Sequence, residues 1–276
     1  MTVPNNSFYL MEKHLCLEKQ LKKASRAAIA FSGGVDSTFL LASAVEALGK
    51  ENVLAITAVS PYIPQWEIDE AIAYAHQLGV NHVKLEMGID DTIRSNPEDR
   101  CYWCKKSIFN QIILKAKSLG FERVMDGTNF DDLDDYRPGL KALKELDIVS
   151  PLMECEITKN QIREWSKAKR LPTWNKPAYA CLLTRIPHGT TVTVEAIRQI
   201  EAAENILFEM GLYQIRVRSH GDLARIELGE KEWQHVIKHH LFSDIHQRIQ
   251  ETGYNYVTLD LGGYKMGSFN PTNRRG

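Results

Sequence analysis

The sequence predicts an α/β fold: a parallel sheet with helices on both faces, followed by a smaller C-terminal α+β domain. Three observations carry this prediction. Short apolar runs alternate with helix-period segments from residue 27 to residue 126, the pattern of strands joined by crossover helices. A glycine-rich turn, Ser32-Gly33-Gly34, directly follows the first apolar run, at the strand end where such sheets bind ligands. After Gly189 the character changes to a helix, a hairpin, a long helix and a last strand. The domains are therefore read as 1–187 and 188–276.

Residues 7–23 read as an amphipathic helix, with Phe8, Leu10, Met11, Leu15, Leu17 and Leu21 supplying apolar surface. Ala27–Phe31 is a strand, Thr38–Leu48 a helix, and Asn52–Ser60 a strand built on Val53-Leu54-Ala55-Ile56. Gln65–Leu78 is a helix stopped by Gly79, and His82–Met87 is the next strand. Ser107–Leu119 is a helix stopped by Gly120, a residue that terminates helices in the left-handed conformation. Arg123–Asp126 is a short strand, and residues 158–170 form a helix with Thr158 as N-cap. A loop rich in Pro, Trp, Asn and Tyr spans Leu171 to His188. Val194–Met210 is then a helix, and Gln214–Arg218 with Leu223–Leu228 make a hairpin around His220-Gly221-Asp222. Lys231–Gln250 reads as one long helix and Tyr254–Leu261 as a strand, leaving Asn270–Gly276 as a frayed end.

At 276 residues the chain is long enough for a substantial core. A formal net charge of −1 gives no bulk attraction to nucleic acid or to an anionic membrane. Lys13, Glu18, Lys19, Lys22 and Lys23 break up the first helix, so it is no signal peptide. No apolar run approaches the length that crosses a bilayer. Five cysteines without an export signal point to a reducing cytoplasm, where clustered thiols serve metals or catalysis.

The heptad Ser32-Gly33-Gly34-Val35-Asp36-Ser37-Thr38 joins strand to helix. Backbone N–H groups converge there at the positive end of a helix, an arrangement that holds phosphate oxygens. Ser37 and Thr38 add hydroxyls, and Asp36 is placed to order the loop or hold Mg²⁺. No lysine follows, which excludes the Walker type of phosphate loop. Asp126, at the end of a strand, is a second candidate for Mg²⁺ carrying pyrophosphate. Asp131, Asp132, Asp134 and Asp135 follow it in what reads equally well as a solvated turn.

Cys101-Tyr102-Trp103-Cys104 stands just before a helix, flanked by Arg100, Lys105 and Lys106. Such a pair admits zinc, a redox dithiol or part of an iron–sulfur site, and needs further ligands. Cys181 is the third candidate, and Cys155 a fourth for a structural zinc site. Cys16 reads as a packed free thiol. Arg216 and Arg218 alternate with Ile215 and Val217, so both guanidinium groups emerge on one strand face, shaped for a phosphate or carboxylate unless that face is merely solvated. Glu227 and Asp260 are weaker candidates.

These motifs carry a resemblance. Ser32–Thr38 matches the SGGxDS signature of the PP-loop ATP pyrophosphatases. Asn96-Pro97-Glu98-Asp99-Arg100-Cys101-Tyr102-Trp103-Cys104-Lys105-Lys106 and Asp126-Gly127-Thr128-Asn129 resemble one branch of that superfamily in particular, the LarE family. So do Asp135-Tyr136-Arg137-Pro138-Gly139-Leu140, Trp174-Asn175-Lys176-Pro177 and the stretch from Cys181 to Arg185-Ile186-Pro187-His188-Gly189. Arg216-Val217-Arg218-Ser219-His220 and Leu259-Asp260-Leu261-Gly262-Gly263 extend the resemblance over nearly the whole chain.

The resemblance implies an ATP-dependent sulfurtransferase of nickel-pincer nucleotide synthesis. ATP and Mg²⁺, bound at Ser32, Gly33, Gly34, Val35, Asp36, Ser37, Thr38 and Asp126, would adenylate a pyridinium carboxylate mononucleotide with release of pyrophosphate. Sulfur from sulfide or a sulfur donor then displaces AMP to leave a thiocarboxylate. It further implies catalytic roles for Cys181, Arg185 and Asp36, and substrate-phosphate contacts by Arg216, Arg218 and Glu227, with Glu204 helping to order that site. Family members draw the sulfur either from one sacrificial cysteine or through a three-cysteine [4Fe-4S] cluster. Cys101, Cys104 and Cys181 match the cluster set, and Cys181 alone is the sacrificial alternative. The expected protein is a homo-oligomer that binds neither nucleic acid nor membrane. The competing readings are a tRNA-thiolating enzyme, which the net charge disfavours, an ammonia-using synthetase, which gives the paired cysteines no task, and a zinc-stabilised nucleotide-binding regulatory protein.

Overall fold

The computed structural model describes residues 6–133 and 138–265, with side chains from Met11 onward. The side chains of Phe8 and Leu10, the residues Asp134, Asp135, Tyr136 and Arg137, and the tail Asn270–Gly276 lie outside the described residues. Contacts divide the chain into two compact units, Met1–Gly88 with Cys101–Tyr179 and Ile89–Arg100 with Ala180–Gly276. The sequence placed its boundary after residue 187, and it did not see that residues 89–100 fold with the C-terminal part.

In the first unit, β1 (Ala27–Ala30), β2 (Val53–Val59), β3 (Asn81–Glu86) and β4 (Arg123–Met125) form a parallel sheet in the order β3-β2-β1-β4. Ala27 aligns with Val53 on one side and Arg123 on the other, and Leu54 aligns with Asn81. Strand residues alternate between two apolar layers. Ala27, Ile29, Val53 and Ala55 face a core formed with α1 (Asn6–Leu21), α2 (Val35–Leu48) and α3 (Gln65–Leu78). Ala28, Leu54, Ile56 and Val124 face Phe109, Ile112 and Ala116 of a later helix. Burial on both faces explains why β1 and β2 read as continuous apolar runs, whereas β3 at the sheet edge stays partly exposed and carries polar residues. The strand order reverses beside β1, so the loops after β1 and β4 flank the crevice in which such sheets bind ligands.

The helix carrying Phe109 starts earlier than the sequence predicts. After the short α4 (Asp91–Arg94), α5 runs from Arg100 to Ser118. Cys101 and Cys104 therefore lie within its first turns, not before it. Cys, Tyr and Trp are indifferent helix formers, so the segment gave no start signal. Two short helices, α6 (Pro138–Glu145) and α7 (Pro151–Glu154), were also not foreseen. α8 (Lys159–Ala168) was, and Thr158 and Gln161 close a reciprocal capping box at its start.

Cys16 and Cys155 form a disulfide that ties α1 to the end of α7. This corrects two expectations: Cys16 is not a free thiol, and Cys155 is not a metal ligand. The four-thiolate zinc site thereby loses a member.

In the second unit, β5 (Ile215–His220) and β6 (Leu223–Leu228) form the expected hairpin, turning at Gly221 with φ +71°, and β7 (Tyr256–Leu259) runs parallel to β6. α9 (Val194–Glu209) packs on β5. The long helix expected over 231–250 is two helices, α10 (Glu230–Lys238) and α11 (Phe242–Gln250), broken where His240 takes a φ of +54°. The apolar repeat continues across the break through Val236, Ile245 and Ile249, which all reach one core, and so hid it. Among the described residues, no helix is long and apolar enough to cross a membrane.

Candidate active site

The loop after β1 is set by its glycines and two serines. Gly33 has φ +70°, and a Cβ there would sit 2.9 Å from Ala71 Cβ, so both conformation and space demand glycine. Ser32 Oγ lies 3.1 Å from Ser37 Oγ, and the Ser37 hydroxyl donates to the Gly34 carbonyl at 3.2 Å. Gly34 is the N-cap of α2, and no side chain caps it. Val35 opens this helix, so Asp36, Ser37 and Thr38 belong to its first turn, where backbone N–H groups lack intrahelical acceptors. Main-chain N–H groups so arranged can cradle the oxygens of an anion.

Asp36 receives the Lys159 ammonium on Oδ2 at 2.5 Å. Its Oδ1 is buried and has no hydrogen-bond partner among the described residues, as is Thr38 Oγ1. Burial pushes the Asp36 carboxyl above its ordinary range, and Lys159 opposes that shift without cancelling it. An enclosed carboxylate oxygen without a donor is chemically suited to a hard cation.

The loop after β4 lies against this cradle. A Cβ on Gly127 would come within 2.8 Å of Ser37 N, so glycine lets Asp126-Gly127 press onto the start of α2. Asp126 is buried, accepts from Thr128 Oγ1 and Ser150 Oγ at 2.5 Å each, and has Lys105 Nζ at 4.0 Å. Asp131 and Asp132 have local tasks. Asp131 accepts from the Lys159 amide at 2.8 Å, fixing the residue that reaches Asp36, and Asp132 accepts from the Asn129 amide.

Cys104 Sγ lies 3.4 Å from the hydroxyl of Tyr62, a buried residue that follows β2. The thiols of α5 and the glycine-rich turn thus occupy the carboxyl edge of one sheet. Cys101 is exposed and Cys104 half-buried, three residues apart, so their side chains share a helix face. Neither they nor Cys181 forms a disulfide. Among the described residues, neither unit by itself gathers three His, Cys, Asp or Glu side chains into a metal-holding group.

Lys159 and Lys176 escaped the sequence reading as site residues. Lys176 Nζ donates to the Gly33 carbonyl at 3.2 Å and pairs with Glu70 at 2.6 Å. Arg163 donates to the carbonyls of Trp174 and Lys176, holding that loop. A lysine some 140 residues from its target gives no local signal; only the Trp174-Asn175-Lys176-Pro177 resemblance pointed to it.

In the second unit, Cys181 begins a short 3₁₀ turn enclosed by arginines. The Arg185 side chain is wholly buried and pairs with both oxygens of Glu204 at 2.9 Å. Its other terminal nitrogen donates to the carbonyls of Ala180 and Cys181 at 2.6 and 3.3 Å and to Thr184 Oγ1 at 2.9 Å. Glu204 also accepts from the Val217 amide at 3.0 Å. Arg218 pairs with both oxygens of Glu227 and donates to the Thr184 carbonyl at 2.6 Å. Arg225 joins Glu227 to Asp260. Arg216 is buried and donates to the Ile215 carbonyl and to Tyr264 Oη. Strand alternation does place Arg216 and Arg218 off the apolar core, but the face they occupy is enclosed and paired, not solvated.

The chain has clear relatives. The family model for NAD synthase matches residues 9–112. The pyridinium-3,5-bisthiocarboxylic acid mononucleotide synthase of Lactiplantibacillus plantarum is 39% identical over 266 residues, covering 95% of each protein. An uncharacterized protein of Synechocystis is 43% identical over 247 residues, or 89% of this chain and 92% of that one. One from Methanocaldococcus jannaschii is 33% identical over 261 residues, spanning 92% and 98%.

Proposed function

The chain belongs to the family of pyridinium-3,5-bisthiocarboxylic acid mononucleotide synthases, the LarE family, and from that premise we propose a two-step reaction, adenylation followed by sulfur transfer. It is an ATP-dependent sulfurtransferase of the nickel-pincer nucleotide pathway. The substrate is a pyridinium carboxylate mononucleotide. One carboxylate oxygen attacks the α-phosphorus of ATP, and pyrophosphate leaves. Sulfide sulfur then attacks the acyl carbon, and AMP leaves with the former carboxylate oxygen. Adenylation is needed because an unactivated carboxylate has no competent leaving group.

The reading gives each residue a part. The amides at the start of α2, with Ser32, Ser37 and Thr38, bind the phosphates that become pyrophosphate. Asp36 and Asp126 would hold Mg²⁺, a hard cation suited to carboxylate oxygen, and the partnerless Asp36 Oδ1 fits that use. Lys159 orients Asp36 and Lys176 fixes the Gly33 carbonyl. Arg185 is a positioning residue that holds the main chain of Ala180 and Cys181, itself held by Glu204. Arg216, Arg218 and Glu227 frame the substrate-phosphate region. Cys101, Cys104 and Cys181 would hold a [4Fe-4S] cluster, and the paired, disulfide-free thiols on α5 fit it. When bound, the cluster would supply sulfide for transfer.

The observation that carries this reading is the meeting of a glycine-rich turn at a helix start, the half-buried Asp36 and buried Asp126, and two thiols at one sheet edge. The test is turnover under anaerobic conditions with ATP and the biscarboxylate mononucleotide. The reading expects AMP and pyrophosphate in equal amounts with a thiocarboxylate product and Cys181 unchanged in mass. Product accompanied by loss of one sulfur from Cys181 would replace the cluster with that cysteine as donor. ADP and phosphate as products would overturn the adenylation step.

A further inference from the structure

The second unit carries a pair of imidazoles that none of this chemistry uses. His235 lies in the last turn of α10 and His239 is its C-cap. The His239 amide still donates to the His235 carbonyl at 3.0 Å, so helical spacing continues through both residues. A separation of four residues puts their rings on one face. The ring centroids are 4.5 Å apart, and both side chains are exposed. Among the described residues, neither ring has a hydrogen-bond or ionic partner competing for its nitrogens.

That separation has a chemical meaning. With metal–nitrogen bonds of about 2.1 Å and a ring radius of about 1.1 Å, two imidazoles at right angles on one metal hold their centroids about 4.5 Å apart. We propose that His235 and His239 form a surface site for a first-row divalent cation of the Ni²⁺ and Cu²⁺ class, with water in the remaining positions. Neutral imidazole suits these ions. The carbonyl end of the helix adds partial negative charge beside the cation. Lys238 is the nearest cation in sequence, and its exposed, flexible stem leaves the ammonium free to extend into solvent.

Ni²⁺ is the probe, because thiolates such as Cys101 and Cys104 compete more strongly for softer ions. The full chain and its His235→Ala and His239→Ala variants are titrated calorimetrically with Ni²⁺, with circular dichroism verifying that both variants fold. The proposal expects one Ni²⁺ bound by the parent chain and lost from each variant. It expects Ni²⁺ to broaden the ring proton resonances of both histidines. Absence of binding by the parent chain, or binding retained by either variant, would overturn it. Neither outcome depends on ATP or on sulfur transfer, so the result is independent of the function proposed above.

Discussion

Replacing Glu204 with Gln tests whether the Cys181 turn is held from behind by Arg185. The Arg185 guanidinium is fully enclosed, and Glu204 accepts from two of its nitrogens and from the Val217 amide. Glutamine keeps one acceptor oxygen for Arg185 Nε and Val217, but it turns an NH₂ group toward the second guanidinium nitrogen and removes this counter-charge. A hydrogen bond to a charged group contributes about 1.5–3 kcal/mol. Breaking a buried ion pair by removing one partner costs about 3–5 kcal/mol. Glu204→Gln falls where these ranges meet, at about 3 kcal/mol. For a unit of about 100 residues, a shift of about 4 °C per kcal/mol lowers its melting temperature by about 12 °C. Calorimetry reads that loss. Alkylation of the native protein, followed by peptide mass spectrometry, reads the turn itself: Cys181 should react faster while Cys101 reacts as before. An unchanged transition with an unchanged Cys181 rate would refute the positioning role.

Other perturbations separate the remaining parts. The disulfide closes a segment of 139 residues, for which chain entropy predicts up to about 5 kcal/mol of stabilisation; Cys16→Ser should lower the melting temperature and abolish its sensitivity to reductant, and a parent protein insensitive to reductant would contradict this. Gly33→Ala should lose most ATP binding, because it strains φ and drives a methyl into Ala71; unaltered binding in equilibrium dialysis would mean the cradle is misassigned. Asp36→Asn should abolish pyrophosphate release. Because the folded state retains the Asp36 proton above the pH at which the unfolded chain releases it, this residue makes stability fall as pH rises from the ordinary aspartate value of 3.8 through the raised one. The variant should lose that slope in pH-dependent denaturation, and a parent-like slope would count against the assignment. Cys104→Ala should stop thiocarboxylate formation while sparing substrate-dependent pyrophosphate release, and normal product formation would exclude the paired thiols from sulfur delivery.

Much of the first unit was legible because its signals are local. Apolar runs buried on both faces, glycine stops after α3 and α5, and the Thr158 cap each state their structure within a few residues. The glycine-rich turn between β1 and α2 was legible for the same reason, since its serines and glycines are adjacent in sequence. What escaped depended on distance. Lys159 and Lys176 reach the cradle from elements 120 or more residues away. Cys16 and Cys155 meet only because α1 packs beside α7. Arg216 and Arg218 read as anion binders, and Arg185 as catalytic, because arginine suits phosphate and carboxylate. Only the fold shows that Glu204 and Glu227 already face Arg185 and Arg218. The break at His240 was hidden by an apolar repeat that continues through it.

The central claim is that the substrate carboxylate is activated as an acyl-adenylate, and oxygen-18 tests it most directly. The biscarboxylate mononucleotide, labelled in its ring carboxylates, is turned over with ATP and a sulfide source under anaerobic conditions, and the phosphates are analysed by mass spectrometry. The account predicts one labelled oxygen in the phosphate of AMP and none in pyrophosphate. Label in inorganic phosphate, with ADP as the other product, would contradict it.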